Sequence, residues 1–171
     1  MTLKQVLAMG GVGAGVALVL YALLSRESDE EKIRRRLDEL ELAVQVDAEA
    51  ENPVFRATRL NDRFGELFDE KVRVSIPELT SSRSGRKDLV ALATRSGAWF
   101  RTLEVDFKSI SVQTGNVGAN VSTTATLTTS RAGGNMQRDE RKVDFTFTKA
   151  DGDWRIDSIQ VFPKDEVDPD E

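Results

Sequence analysis

Apolar side chains fall along this chain in three rhythms, and each predicts a different kind of element. The first is a solid run. Val6 to Leu24 holds no charge, and as one helix it would span about 28 Å, close to the hydrocarbon thickness of a bilayer. The second rhythm is helical. Ser28-Asp29-Glu30-Glu31 reads as a capping box, after which Ile33, Leu37, Leu40 and Val44 predict an amphipathic helix to about Val46. Asn52-Pro53 starts a second helix, with Leu60, Phe64, Leu67 and then Phe68 on its buried stripe. Gly65 inside that helix weakens it by about 1 kcal/mol relative to alanine. Thr80 to Gly85 is a polar loop, and from Arg86 a third helix turns Leu89, Leu92, Ala93 and Ser96 inward, with Trp99-Phe100 at its end.

The third rhythm is strict alternation. Val72, Val74 and Ile76 make a short strand closed by Pro77, which suits a sheet edge. Leu103, Val105 and Phe107 alternate, then Ile110 and Val112 alternate in the opposite phase, as a β-bulge produces. Thr114-Gly115-Asn116 is a turn, and period two then runs from Val117 through Ala119, Val121, Thr123, Ala125 and Leu127 to Thr129. Gly133-Gly134 turns the chain again, before Val143, Phe145 and Phe147. Asp151-Gly152 makes a tight hairpin into Trp154 and Ile156. Ile159 and Val161 follow out of phase, which predicts a second bulge near residues 157–158. The expected architecture is α+β: an N-terminal transmembrane helix, then a cone of about three helices packed on a curled, mostly antiparallel sheet. The domains are residues 1–27 (anchor and flanks), 28–163 (folded domain) and 164–171 (an acidic, disordered tail).

Composition narrows the chemistry. With no cysteine and no histidine, thiolate metal sites, disulfides and histidine acid–base catalysis are excluded. The lone tyrosine, Tyr21, lies in the apolar run. A net charge of -5 without a concentrated basic face does not suit nucleic acid. No spacing resembles a calcium loop, and neither a metal nor a cofactor is expected.

Two other readings compete for the apolar run. A cleaved signal peptide has a shorter core and small residues at its cleavage site, where this chain has Leu20, Leu23 and Leu24. A buried core helix would need an enclosing apolar surface larger than this domain supplies. The anchor is therefore the expectation. Gly11 and Gly15 form a G-x-x-x-G pair, a candidate face for helix dimerisation. The basic count, with Lys4 on one side and Arg26, Lys32, Arg34, Arg35 and Arg36 on the other, puts the domain in the cytoplasm if taken literally. The arginines alternate with acids along a helix, so the side stays open.

The helix Leu60–Phe68, the strand Val72-Arg73-Val74-Ser75-Ile76-Pro77, Gly85-Arg86 opening the third helix and the closing Asp151-Gly152-Asp153-Trp154-Arg155-Ile156-Asp157 together resemble the nuclear transport factor 2-like superfamily. Its SnoaL-like and ketosteroid isomerase-like members share that order over a span matching residues 28–163. The resemblance implies a cone whose mouth holds a ligand, a catalytic acid, or nothing. Some anchored members, such as an inner-membrane subunit of type IV secretion systems, look like periplasmic assembly scaffolds, and this tilts localisation toward the periplasmic face of the inner membrane.

An isomerase-like site requires an inward acid and an oxyanion donor. By strand phase Glu104, Asp106 and Asp144 point out, and Asp62 faces away around its helix. Asp157, at the second phase shift, is the one weak catalytic candidate. Trp99, Phe107, Thr123, Phe145 and Phe147 are the candidate pocket lining, although such aromatics are more often core. The leading expectation is a non-catalytic, membrane-anchored interaction or scaffold domain of the bacterial envelope, with a protein partner or a second copy. That reading predicts a filled cone and a sheet face or edge free to meet a partner. The alternatives are a binder of a small apolar ligand, or a SnoaL-like enzyme with an interior acid.

Overall fold

A computed structural model describes residues 27–47, 52–78 and 83–164. Helix α1, Asp29–Val44, opens on the expected capping box: Glu31 donates its amide to Ser28 Oγ at 3.1 Å, and Ser28 donates its amide to the Glu31 carboxylate at 2.7 Å. Ile33, Leu37, Leu40 and Ala43 are its buried stripe. The helix ends two residues earlier than its periodicity suggests, because Val46–Asp47 leave it to form a short strand, β1, opposite Leu103 and Thr102.

Helix α2, Pro53–Leu67, is capped by Asn52, whose side chain accepts from the Val54 amide at 2.9 Å. It runs directly into strand β2, Phe68–Ser75. Phe68 is therefore the first strand residue rather than the last of the helical stripe, and its ring meets Phe64 edge-on at 4.8 Å. The expected loop 80–85 contains a two-residue strand, β3, Arg83–Ser84, paired with Val74 and Arg73 of β2. Gly85 follows with φ +94°, a conformation that favours glycine, and donates its amide to Val72 O at 2.8 Å before helix α3, Arg86–Trp99.

Four long strands complete the chain: β4 Thr102–Thr114, β5 Gly118–Ser130, β6 Gln137–Ala150 and β7 Asp153–Val161. The sheet order is β1-β4-β5-β6-β7-β2-β3. Every pairing is antiparallel except β2 with β7. Strand β2 thus lies between β7 and the stub β3, not at the bare edge. Both expected bulges are present. The register of β4 slips between Lys108 and Ser111, where Ser109 takes φ +51°. In β7, Thr146 faces Ser158 and Phe147 faces Ile156, so Asp157 is the extra residue. Asp151 and Gly152, both at positive φ, make the tight β6–β7 turn.

The bulges bend the sheet around the three helices, which pack on its concave side. The core joins Ile33, Leu37 and Leu60 to Val121, Phe145, Phe147, Trp154 and Ile156. Each large side chain removed from water there contributes about 1.5–3 kcal/mol. The alternation predicted for β5 holds through Ala119, Val121 and Thr123 and then fades. Val117 precedes the strand and is exposed, and beyond Ala125 buried Thr126 lies on the opposite face, between Asp106 and Glu140 on the flanking strands. No helix among the described residues is long and apolar enough to cross a membrane. The run Val6–Leu24, with Gly11 and Gly15, and the tail 165–171 lie outside the described residues.

Candidate functional site

The concave face is not completely filled. A cavity of about 260 Å³ sits in the mouth of the cone, walled by Leu40 and Val44 of α1, Phe64 of α2, Phe68 and Val74 of β2, Leu89, Leu92 and Ala93 of α3, and residues of the sheet. Val105, Phe107, Ala125, Val143, Phe145, Ile159 and Val161 are the sheet's share. No lining residue carries a charge or a polar side chain. The hollow has a local cause. Ala125 stands across from Phe107, and the small residue leaves unfilled the space its neighbours frame. Phe107 and Phe145 form one wall as an edge-to-face pair with centroids 5.4 Å apart.

Two of the five sequence-predicted pocket residues, Phe107 and Phe145, line this cavity. Phe147 lies fully buried in the core behind it. Thr123 is also buried, but its hydroxyl donates to Lys108 O at 2.7 Å beside the first bulge and does not reach the cavity. Trp99 must be corrected: it is 56% exposed, because it falls in the last turn of α3, past the end of the helix's inward stripe. Asp157, the weak catalytic candidate, does not line the cavity. As the bulge residue it leaves the inward phase of β7 and pairs with Arg73 at 3.0 Å.

The polar groups that shape the cavity are ones the sequence pattern did not single out. Arg56 of α2 is buried. Its guanidinium donates to Gln45 O at 2.7 Å and to Val44 O and Ala93 O at 3.3 Å each. Arg59 adds a bond to Ala43 O at 3.2 Å. These arginines cap the C-terminal carbonyls of α1, and Arg56 ties that helix end to α3. Val44 and Ala93 are both cavity residues, so Arg56 sets the spacing of two walls. The only available signal was a cation one position after Phe55 on a helix, which reads as solvated.

Glu41 was missed for the same reason. From α1 its carboxylate accepts the amide of Phe107, and burial pushes its carboxyl above the ordinary glutamate value. Arg34 donates to Ile110 O at 2.9 Å. Together the two side chains satisfy backbone groups on the edge of β4 that β1 does not cover, blunting that edge against pairing with another chain. Glu41 therefore lies behind the cavity wall, not in it.

At its outer end the concave face opens into a second, polar groove of about 520 Å³, lined by Phe100, Leu127, Thr129, Arg131, Gln137, Arg138, Asp139 and Lys164. The Arg131 guanidinium lies 5.7 Å from the centre of the Phe100 ring. Among the described residues, no group of acids has the arrangement of a metal site.

No family model matches the chain, and no curated protein matches it. Solved structures do. A nuclear transport factor 2-like superfamily protein from Salmonella enterica serovar Typhimurium is 14% identical, with 82% of this chain and 94% of that one covered at a TM-score of 0.64. A nuclear transport factor 2-like protein from Novosphingobium aromaticivorans is 16% identical over 86% and 87% of the two chains, with a TM-score of 0.59. A candidate scytalone dehydratase from the same organism is 17% identical over 78% and 82%, with a TM-score of 0.58. At such identities the likeness establishes the fold, and this chain has the cone fold of the nuclear transport factor 2-like proteins.

Proposed function

We propose that the domain binds a small apolar molecule in the mouth of its cone and does not transform it. The observation that carries this reading is the 260 Å³ cavity walled entirely by apolar side chains. A cavity of about 150 Å³ already takes up benzene, so this one has room for a ring with a short substituent or a medium-length carbon chain. Exclusion of water from such a surface supplies the binding energy, at roughly 25 cal/mol per Å² of apolar area covered.

The scaffold reading predicts a filled cone and a sheet face or edge free to meet a partner, and the hollow weighs against the first of these. An enzyme of the isomerase type needs an acid facing the substrate, and the acids closest to that role are engaged elsewhere: Asp157 with Arg73, Glu41 with the Phe107 amide. In this proposal the run Val6–Leu24 tethers the domain to a bilayer, where apolar small molecules concentrate.

The test is photolabelling of the full chain in lipid nanodiscs with an octanol carrying a diazirine. Saturable adducts on Phe107, Phe145 or Leu92, competed away by unlabelled 1-octanol, are the expected result. Adducts confined to the first 25 residues would mean that the probe meets only the lipid phase, and the cavity reading would be wrong.

A further inference from the structure

We infer that the occupant of the cone is an amphipathic anion, with its apolar body in the cavity and its acidic head in the basic groove at the cavity's outer end. This rests on the cavity being a binding site. Cavity and groove adjoin on the same concave face: Val105, a cavity residue, is the cross-strand partner of Leu127, which lines the groove. Cross-strand partners on one face have side chains in direct reach of each other. The two therefore meet at the Val105–Leu127 pair.

Beyond Leu127 the chemistry changes sign. The charged side chains lining the groove are Arg131, Arg138 and Lys164 against one acid, Asp139. That acid pairs with Arg141 at 2.9 Å, which it shares with Glu78 at 2.7 Å, and with Lys164 at 3.7 Å. Arg138 reaches Glu140 at 3.8 Å. Arg131 has no carboxylate partner among the described residues, and its guanidinium rests over the Phe100 ring. An arginine fixed on an aromatic ring keeps its donors aimed outward, at little entropic cost on meeting a carboxylate or phosphate. A basic lip is also against the grain of a chain with net charge -5. A purely apolar ligand gives this lip no role; a carboxylate on the end of the apolar body does.

The experiment compares two probes on the full chain in nanodiscs: a diazirine-bearing octanoate and the matched octanol, with adducts mapped by mass spectrometry. A charge-assisted contact at a partly exposed site predicts half-saturation of the acid at about tenfold lower concentration than the alcohol. Arg131→Ala with Lys164→Ala brings the acid to the alcohol's level and leaves the alcohol unchanged, and Arg131→Glu alone weakens the acid further. Raised salt weakens labelling by the acid only. Equal half-saturation of the two probes in the unaltered chain, or an acid curve that the double variant does not move, would overturn the head-group assignment while the cavity reading stands. Failure of both probes to label the cavity wall would remove the cavity reading, and the inference with it.

Discussion

Replacing Ala125 with leucine tests whether the hollow is real space. Ala125 lines the cavity, half-buried, opposite Phe107. Leucine adds three carbons, worth about 0.8 kcal/mol each when fully buried, so complete burial would stabilise the fold by about 2.4 kcal/mol. The cavity opens toward solvent, and the new side chain gives up some rotamer freedom, so about 1 kcal/mol is the expected net gain. For a domain of this size that raises the Tm by roughly 3–5 °C. The assay is thermal unfolding of residues 26–171 followed by circular dichroism. Ala119→Leu is the control. It lies on the same face of the same strand but is packed against the core with only 4% exposure. Overpacking there costs about 1–3 kcal/mol. If Ala125→Leu lowers the Tm as Ala119→Leu does, the space does not exist and the reasoning built on it fails.

Arg56→Met strips the carbonyls of Val44, Gln45 and Ala93 of their donor; urea unfolding should show a loss of roughly 3 kcal/mol, and Arg56→Lys should recover only part of it. Gly65→Ala meets no atom within 4 Å and removes a helix-interior glycine, so the same assay should show a gain of about 0.5–1 kcal/mol. Two carboxylates give opposite pH dependences. Bonds from Lys149 and Trp154 hold the Asp29 carboxyl below its ordinary value, so its stabilisation is present above that value and lost as pH falls through the lowered one. Asp29→Asn should lower the Tm at pH 7, with the gap closing on acidification. Burial raises Glu41, so its contribution is favourable below the ordinary value of 4.5 and lost as pH rises through the raised one. Glu41→Gln keeps an acceptor for Phe107 and should raise the Tm at pH 7 but not at pH 4.

Much of the fold was legible because long elements repeat their signal. Alternation over β4 to β7 and the two phase shifts located four strands and both bulges, since a one-residue insertion inverts every side chain after it. The strands β1 and β3 were illegible because two residues carry no period, and they exist only through pairing with β4 and β2. The site was legible in part. Phe107 and Phe145 announced an inward aromatic wall, but the hollow depends on a small residue, Ala125, whose meaning appears only when its cross-strand neighbour is known. Trp99 misled because a helical period does not say where the neighbouring sheet stops covering the helix. Arg56 and Glu41 misled in the opposite direction. Charged residues on amphipathic helices are usually solvated, and nothing local marks the ones that turn back to bond backbone groups of other elements.

The most direct test of the cavity as a binding site is a calorimetric titration of residues 26–171 with 1-octanol at several temperatures. One saturable site with a negative heat-capacity change, weakened in the Ala125→Leu variant, is the predicted result, since burial of apolar surface carries that signature. Absence of saturable heat up to the solubility of octanol, or an identical titration of the Ala125→Leu variant, would contradict it.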